Sequence, residues 1–382
     1  MSNLHLSVYL NEDRPQVLHP SVTELPLDAL GPELCARLKD SLAVDSSDGV
    51  ACAASARLWE CLLEKTRLPY LLLRVADMRM SLGSKVTAVM LYVELQAILR
   101  DPTFSLWVAQ SRSSILAEAD RQLIEYKNNP SLGFSPSQRW RSTAGIDTFP
   151  YCRLQQAQIT SMRDDWLRMD SPMDIKAKFF NLHCLETNVI EGTVQFDEST
   201  TTQMVQLGFY NQAEPLDAEN LIRGAVRDRA DAISILQDTH KALNEIFAIL
   251  QSEPINLTVE LVRRLHAQLM KTSRVLYVDT NRGRRLSYLN VGVTRQISRV
   301  NVTATLKSVK IQFCPSDEVE TELSIFCRRF NELVQNSNMD PFAAAAWISH
   351  IFITIHPFEA SSSSTYYERI SSNILMCFYI GW

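Results

Sequence analysis

Residues 340–359 read Asp-Pro-Phe-Ala-Ala-Ala-Ala-Trp-Ile-Ser-His-Ile-Phe-Ile-Thr-Ile-His-Pro-Phe-Glu, and they set the frame for the rest of the chain. Asp340 is suited to accept hydrogen bonds from the first open N–H groups of a helix. Pro341 fits the first helical position, where no N–H is required. From Phe342 to Ile355 the side chains are apolar on almost every face, so their helix belongs in the middle of a domain. Pro357 forces the chain out of that helix. Phe358 is placed to anchor the new loop in the core, and His356 is left at the end of a rigid element. A histidine held there suits a general base. A histidine at the edge of a core is the other reading, and the surrounding sequence has to decide between them.

Outward from this helix the same signals recur. Residues 84–99 form a strongly apolar helix stopped by Asp101-Pro102, and a second helix is predicted over 113–126. Asn128-Asn129-Pro130-Ser131-Leu132-Gly133 breaks the pattern, and 135–150 reads as a linker. Residues 1–32 hold prolines at 15, 20, 26 and 32 and read as an irregular arm, with helices from Glu33 onward. In 174–189, Ile175, Phe179, Leu182, Leu185 and Val189 recur at helical spacing. Pro215-Leu216-Asp217 opens another helix. Ile233, Leu236, His240, Leu243, Phe247 and Leu250 make an amphipathic stripe, and 258–270 and 316–334 are helical. Residues 275–313 differ, being rich in Val, Thr, Tyr and Arg. There Leu286-Ser287-Tyr288 and Val309-Lys310-Ile311-Gln312-Phe313 read as two strands flanking a long loop. The fold class is therefore mainly α, with one short β-hairpin.

At 382 residues the chain suits two helical domains. Its net charge of -5 excludes a general nucleic-acid binder, which needs a basic surface. Arg282, Arg284, Arg285, Arg295 and Arg299 gather locally, either as an anion-facing stretch or as a solvated basic loop. The cysteines are scattered without a C-x-x-C pair, which argues against a zinc ribbon and a disulfide framework. The first residues lack the apolar core of a signal peptide, and no run approaches the roughly 18 apolar residues of a membrane helix. The expectation is a cytoplasmic or nuclear protein with no membrane partner.

Three stretches, taken in order, resemble the Fic (Fido) family. Its signature, His-x-Phe-x-Asp/Glu-Gly-Asn-Gly-Arg-x-x-Arg, follows a buried helix, and here begins as His356-Pro357-Phe358-Glu359. A β-hairpin "flap" precedes that helix; Leu286, Ser287, Tyr288, Ile311, Gln312 and Phe313 stand in its place. One subclass carries an upstream inhibitory helix reading Ser/Thr-x-x-x-Glu-Gly/Asn, matched by Thr187, Glu191 and Gly192. The resemblance covers about residues 175–359. It implies transfer of AMP from ATP, with Mg2+, onto a Ser, Thr or Tyr hydroxyl of a protein substrate. His356 would be the base, Phe358 the loop anchor, the flap a clamp on the target's backbone, and Glu191 an inhibitor that pairs with the last signature arginine. A Thr/Glu pair on a solvated helix face is the alternative for 187 and 191.

After Glu359 the match stops. The family's magnesium ligand falls on Ala360, Gly-Asn-Gly-Arg on Ser361–Ser364, and the final arginine on Tyr367. Glu359 stands one place early as a candidate metal ligand. Serines offer hydroxyls but lack the backbone freedom with which glycines aim N–H groups at phosphate. The resemblance thus implies an impaired enzyme, and ATP and Mg2+ binding is in doubt. The apolar ending, 371–382, is unmatched. It fits a pseudoenzyme, a truncated isoform or a gene-model product, and a non-catalytic peptide-binding module is the rival function. Removal of AMP from modified targets needs the same missing loop. The expected organisation is 1–150 as an N-terminal arm and helical region, 151–215 as helices with the inhibitory motif, 216–370 as the Fic-type domain, and 371–382 as a tail.

Overall fold

The computed structural model describes residues 9, 11, 13–146, 154–170, 173–210, 221–251, 255–280, 283–306, 308–335 and 340–359. In chain order the helices are α1 (Pro20–Thr23), α2 (Leu27–Leu42), α3 (Gly49–Lys65), α4 (Pro69–Ser81), α5 (Lys85–Leu99), α6 (Pro102–Asn128) and α7 (Gln156–Asp170). They continue with α8 (Met173–Ile190), α9 (Glu198–Leu207), α10 (Arg229–Leu250), α11 (Val259–Leu269), α12 (Arg295–Ser298), α13 (Val319–Val334) and α14 (Pro341–Ile355). Strands occur only as short antiparallel pairs among the described residues. These are β1 (Gln195–Phe196) with β2 (Leu221–Arg223), β3 (Val275–Thr280) with β4 (Gly283–Tyr288), and β5 (Thr303–Leu306) with β6 (Val309–Gln312). The fold is mainly α, as the sequence indicates. No described helix is long and apolar enough to cross a membrane.

Helix starts follow the capping chemistry. Asp48, Asp101, Asp197, Asp228, Thr258 and Asp340 each accept a hydrogen bond from an N–H in the first turn of the helix that follows. Asp101-Pro102 both ends α5 and begins α6, which therefore starts eleven residues before the predicted 113. The Pro215-Leu216-Asp217 helix start lies outside the described residues.

Two compact units result. The first takes the chain up to Asn129 together with 273–290 and 297–299. Its core holds Trp59, Tyr70, Leu71, Tyr92 and Phe104, with Val275 of β3 among them. The arm expected to be irregular up to residue 32 instead carries α1 and the first turn of α2, which kinks at Gly31. It is docked there: Tyr9, Val17 and Val22 are buried, and Tyr9 meets Trp59 edge-on at 5.6 Å. Arg14 closes a fork on the Asp77 carboxylate at 2.8 Å on both arms.

The second unit takes 130–272, 291–296 and the described residues from 300 onward. Phe326 of α13 is buried in it, its ring 5.3 Å from that of Phe352 and 6.3 Å from that of Trp347, both on α14. The front of the expected linker packs here. Ser135 N–H donates to Lys310 O at 3.2 Å, and Trp140 Nε1–H to Glu318 at 3.2 Å. The Thr143 amide and hydroxyl both donate to Glu322.

The strands expected to face each other across 285–313 do not pair. Tyr288, Ser287 and Leu286 pair with Val275, Leu276 and Tyr277, whereas 309–312 pairs with 303–306. Each strand takes the neighbour that the shortest loop brings to it, and local closure loses less chain entropy than bridging twenty residues.

Candidate functional site

Asp340 Oδ1 accepts from the Phe342 and Ala343 amides at 2.9 Å each, so α14 begins as its sequence dictates. Along it Ala344, Ala345, Ile348, Ile351, Phe352 and Ile355 are buried. The helix ends where Pro357 forbids another turn. His356 still donates its backbone N–H to Phe352 O at 2.9 Å but adopts the left-handed conformation, φ 50 and ψ 63. That conformation is uncommon for a residue with a Cβ and costs on the order of 1 kcal/mol. The His356 imidazole is buried. There Nδ1 faces Phe358 O at 3.0 Å, and the ring centroid lies 4.6 Å from that of Phe313. A carbonyl oxygen only accepts, so Nδ1 carries the proton and Nε2 the lone pair. Burial, reinforced by the Arg295 charge, pushes this imidazole down to about 3. His356 is neutral at physiological pH.

The loop after the helix is pinned. Phe358 is buried and lies flat on His266 of α11, centroids 3.8 Å apart and planes 1° from parallel. Thr294 pairs with Phe358 as an antiparallel bridge, and Arg295 N–H donates to Pro357 O at 2.8 Å. The segment 292–295 is itself clamped on α11. Gly292 N–H donates to His266 Nδ1 at 2.8 Å, and Arg263 Nε–H to Gly292 O at 3.0 Å. A Cβ at Gly292, where φ is +69°, would stand 3.0 Å from that of Ala267, so glycine is needed on both counts. Among the five arginines grouped in the sequence, Arg295 is fully buried, while Arg299 is half-buried and pairs with Asp120 at 2.6 Å.

Thr187, Glu191 and Gly192 sit at the end of α8. Gly192 takes φ +62°; its N–H donates to Val189 O at 2.9 Å, and Thr193 N–H to Asn188 O at 2.9 Å. These two bonds form a Schellman cap, which accounts for the glycine. Thr187 and Glu191 are 2% and 1% exposed, so neither lies on a solvated face. Asn188 between them donates to Thr239 of α10 at 3.3 Å.

The expected flap residues divide. Leu286, Ser287 and Tyr288 lie in β4 of the N-terminal unit, and Tyr288 donates its hydroxyl to Glu60 at 2.7 Å. Ile311 and Gln312 lie in β6, where Gln312 accepts from the Trp140 amide at 3.3 Å. Phe313 is a buried ring against His356. Glu359 is half-buried, and Ala360 with Ser361–Ser364 lies outside the described residues. Among the described residues no group of three His, Cys, Asp or Glu side chains converges as a metal site. Alanine and serine at 360–364 bring no carboxylate and no glycine freedom. The donor set does not fit a magnesium-bound nucleotide as the signature would hold it.

Residues 256–362 match the model of the Fic/DOC family. A Fic domain containing signaling protein from Bacteroides thetaiotaomicron is similar in structure, at 16% identity and a TM-score of 0.41, over 58% of this chain and 72% of that one. Fic-1 from C. elegans is 12% identical at a TM-score of 0.34, over 90% of this chain and 83% of that one. No curated protein matches the chain.

Proposed function

We propose that this chain, whose residues 256–362 belong to the Fic/DOC family, is a Fic-type scaffold that keeps the base for protein adenylylation and lacks the loop that would hold the nucleotide. The family has AMPylation-type transferase activity, uses ATP and Mg2+, and acts on protein substrates. The observation that carries the reading is the presentation of His356. A buried helix delivers it, and its Nδ1–H is committed to Phe358 O, which makes Nε2 the nitrogen suited to take the proton of a hydroxyl.

The same geometry supports an impaired site. A base works best when its pKa lies near the working pH. Burial holds His356 near 3, where it takes a proton poorly. An anion close to the ring would raise it, and the serines at 361–364 offer hydroxyls without the glycine freedom that would aim backbone N–H groups at one. Glu191 is the proposed inhibitory glutamate. With no arginine at 364 or 367, it has no signature arginine to engage.

Incubation with ATP labelled at the α-phosphate, with Mg2+, tests this reading. The expected result is no label on the chain or on added protein. Label on a Ser, Thr or Tyr side chain that disappears in His356→Ala would overturn the impaired state.

A second reading has its own observation. β5 and β6 form a sheet of two strands, to which an extended peptide could add a third. Such a module would bind peptide as well in His356→Ala as in the parent chain.

A further inference from the structure

The His356 cap is held by a buried side chain that lies between the two expected flap strands and is not one of the residues named for the flap or the signature. Arg295 is 0% exposed. Its Nε–H donates to His356 O at 2.6 Å, one terminal nitrogen donates to Ile355 O at 3.0 Å and Cys314 O at 2.7 Å, and the other donates to Val300 O at 3.0 Å. Its backbone N–H adds the bond to Pro357 O. The last carbonyls of a helix have no partner within it and form the negative end of its dipole, so a cation is favoured there. Cys314 N–H serves Thr354 O at 3.3 Å, and Arg295 serves the next two carbonyls.

A guanidinium is needed, because a buried charge is tolerated only when its donors are met. Only a planar fork reaches carbonyls from four different residues at once. The anchoring is mutual. Gly292, three residues before Arg295, is clamped by His266 and Arg263, and Thr294 between them pairs with Phe358 and donates to Glu320 at 2.5 Å. Segment 292–295 thus runs from α11 to the end of α14. It fixes both the His356 backbone and the Phe358 carbonyl that holds its ring.

We infer that Arg295 is the positioning residue of this site: its guanidinium fixes His356 in the left-handed cap and so selects the Nδ1–H tautomer that leaves Nε2 as the base. The inference rests on His356 being the base of the proposed function. It is tested without nucleotide or turnover, so its failure is distinct from the failure of that function.

The experiment is 15N NMR of the full chain with labelled histidine, at neutral pH, on the parent and on Arg295→Lys. The parent should show His356 as one tautomer with the proton on Nδ1. The folded lysine variant, with its charge kept and its fork lost, should show a mixture of tautomers at His356, while His183 is unchanged. A folded Arg295→Lys with His356 still wholly in the Nδ1–H form overturns the inference. If that variant does not fold, hydrogen exchange in the parent decides. Arg295 Nε–H should then be protected to the same degree as the His356 amide, since one opening exposes both. An Nε–H that exchanges tenfold faster or more overturns the inference equally.

Discussion

The ring of Phe358 lies parallel to the imidazole of His266, 3.8 Å away, and this contact ties the loop after the His356 cap to α11. Both residues are buried. Phe358→Ala removes a large core side chain and should cost about 3–5 kcal/mol. Phe358→Leu fills most of the volume and should cost clearly less. A double-mutant cycle with His266→Ala should give a coupling of about 0.5–1.5 kcal/mol, the range for paired rings. Urea unfolding provides all the values, and a coupling near zero would mean that the two rings merely share a core.

Asp340→Ala should destabilise the chain by about 1 kcal/mol through loss of the α14 cap. One oxygen, Oδ1, accepts from both amides, while the buried Oδ2 has no hydrogen-bond partner among the described residues. Asp340→Asn keeps that acceptor and should be nearly neutral. If the asparagine variant is as unstable as alanine, the charge against the helix dipole matters more than the hydrogen bonds.

Acid should destabilise the fold through two histidines. Burial pushes His183 down to about 4 and His356 to about 3, both below the roughly 6.5 of an unfolded chain. Between those values the unfolded chain binds more protons, so the contribution is complete above pH ~6.5 and is lost as pH falls through the window. From pH 8 to pH 5 each histidine should remove about 2 kcal/mol of stability. Unfolding of the parent and of His183→Gln at both pH values isolates one share. A variant that loses stability as steeply as the parent would place His183 outside this account.

Much of this site is legible in residues 340–359. A cap, an N1 proline, an apolar run and a His-Pro-Phe ending each have one structural solution, and α14 adopts it. Arg295 is not legible, because it stands in a basic stretch with Arg299 and their spacing does not say which is buried. His266 reads as one more residue on the amphipathic α11. The strand error has a similar origin. Val275 to Thr280 and Gly283 to Tyr288 are both rich in strand formers, and only closure of the hairpin shows that each belongs with the other. Gly192 was legible as a helix end, whereas the burial of Glu191 beside it was not.

Glu191→Gly should leave the parent chain inactive. In the family reading the substitution works by freeing an arginine, and positions 364 and 367 hold serine and tyrosine. Adenylylation with labelled ATP, before and after the change, is the measurement. A large gain on this single substitution would show that residues 360–364 matter less than proposed.

The last prediction separates the intact part of the site from the altered one. The capped α14, the neutral His356, its brace and the α8 cap are all in place before residue 360. Replacing residues 360–382 with a family-like tail, beginning Asp-Gly-Asn-Gly-Arg-x-x-Arg and continuing through a following helix, should restore ATP binding. Changing 360–364 alone should do less, because the anion site also needs the N-terminus of that helix. In the full chimera Glu191 regains an arginine to engage, so self-adenylylation should remain low until Glu191→Gly is added. His356→Ala should then abolish it, as should loss of the tautomer in Arg295→Lys to a lesser degree. ATP binding by calorimetry and label incorporation are read on each variant. If the chimera folds and binds ATP yet stays inert with Glu191→Gly, the role given to His356 or to Glu191 is wrong.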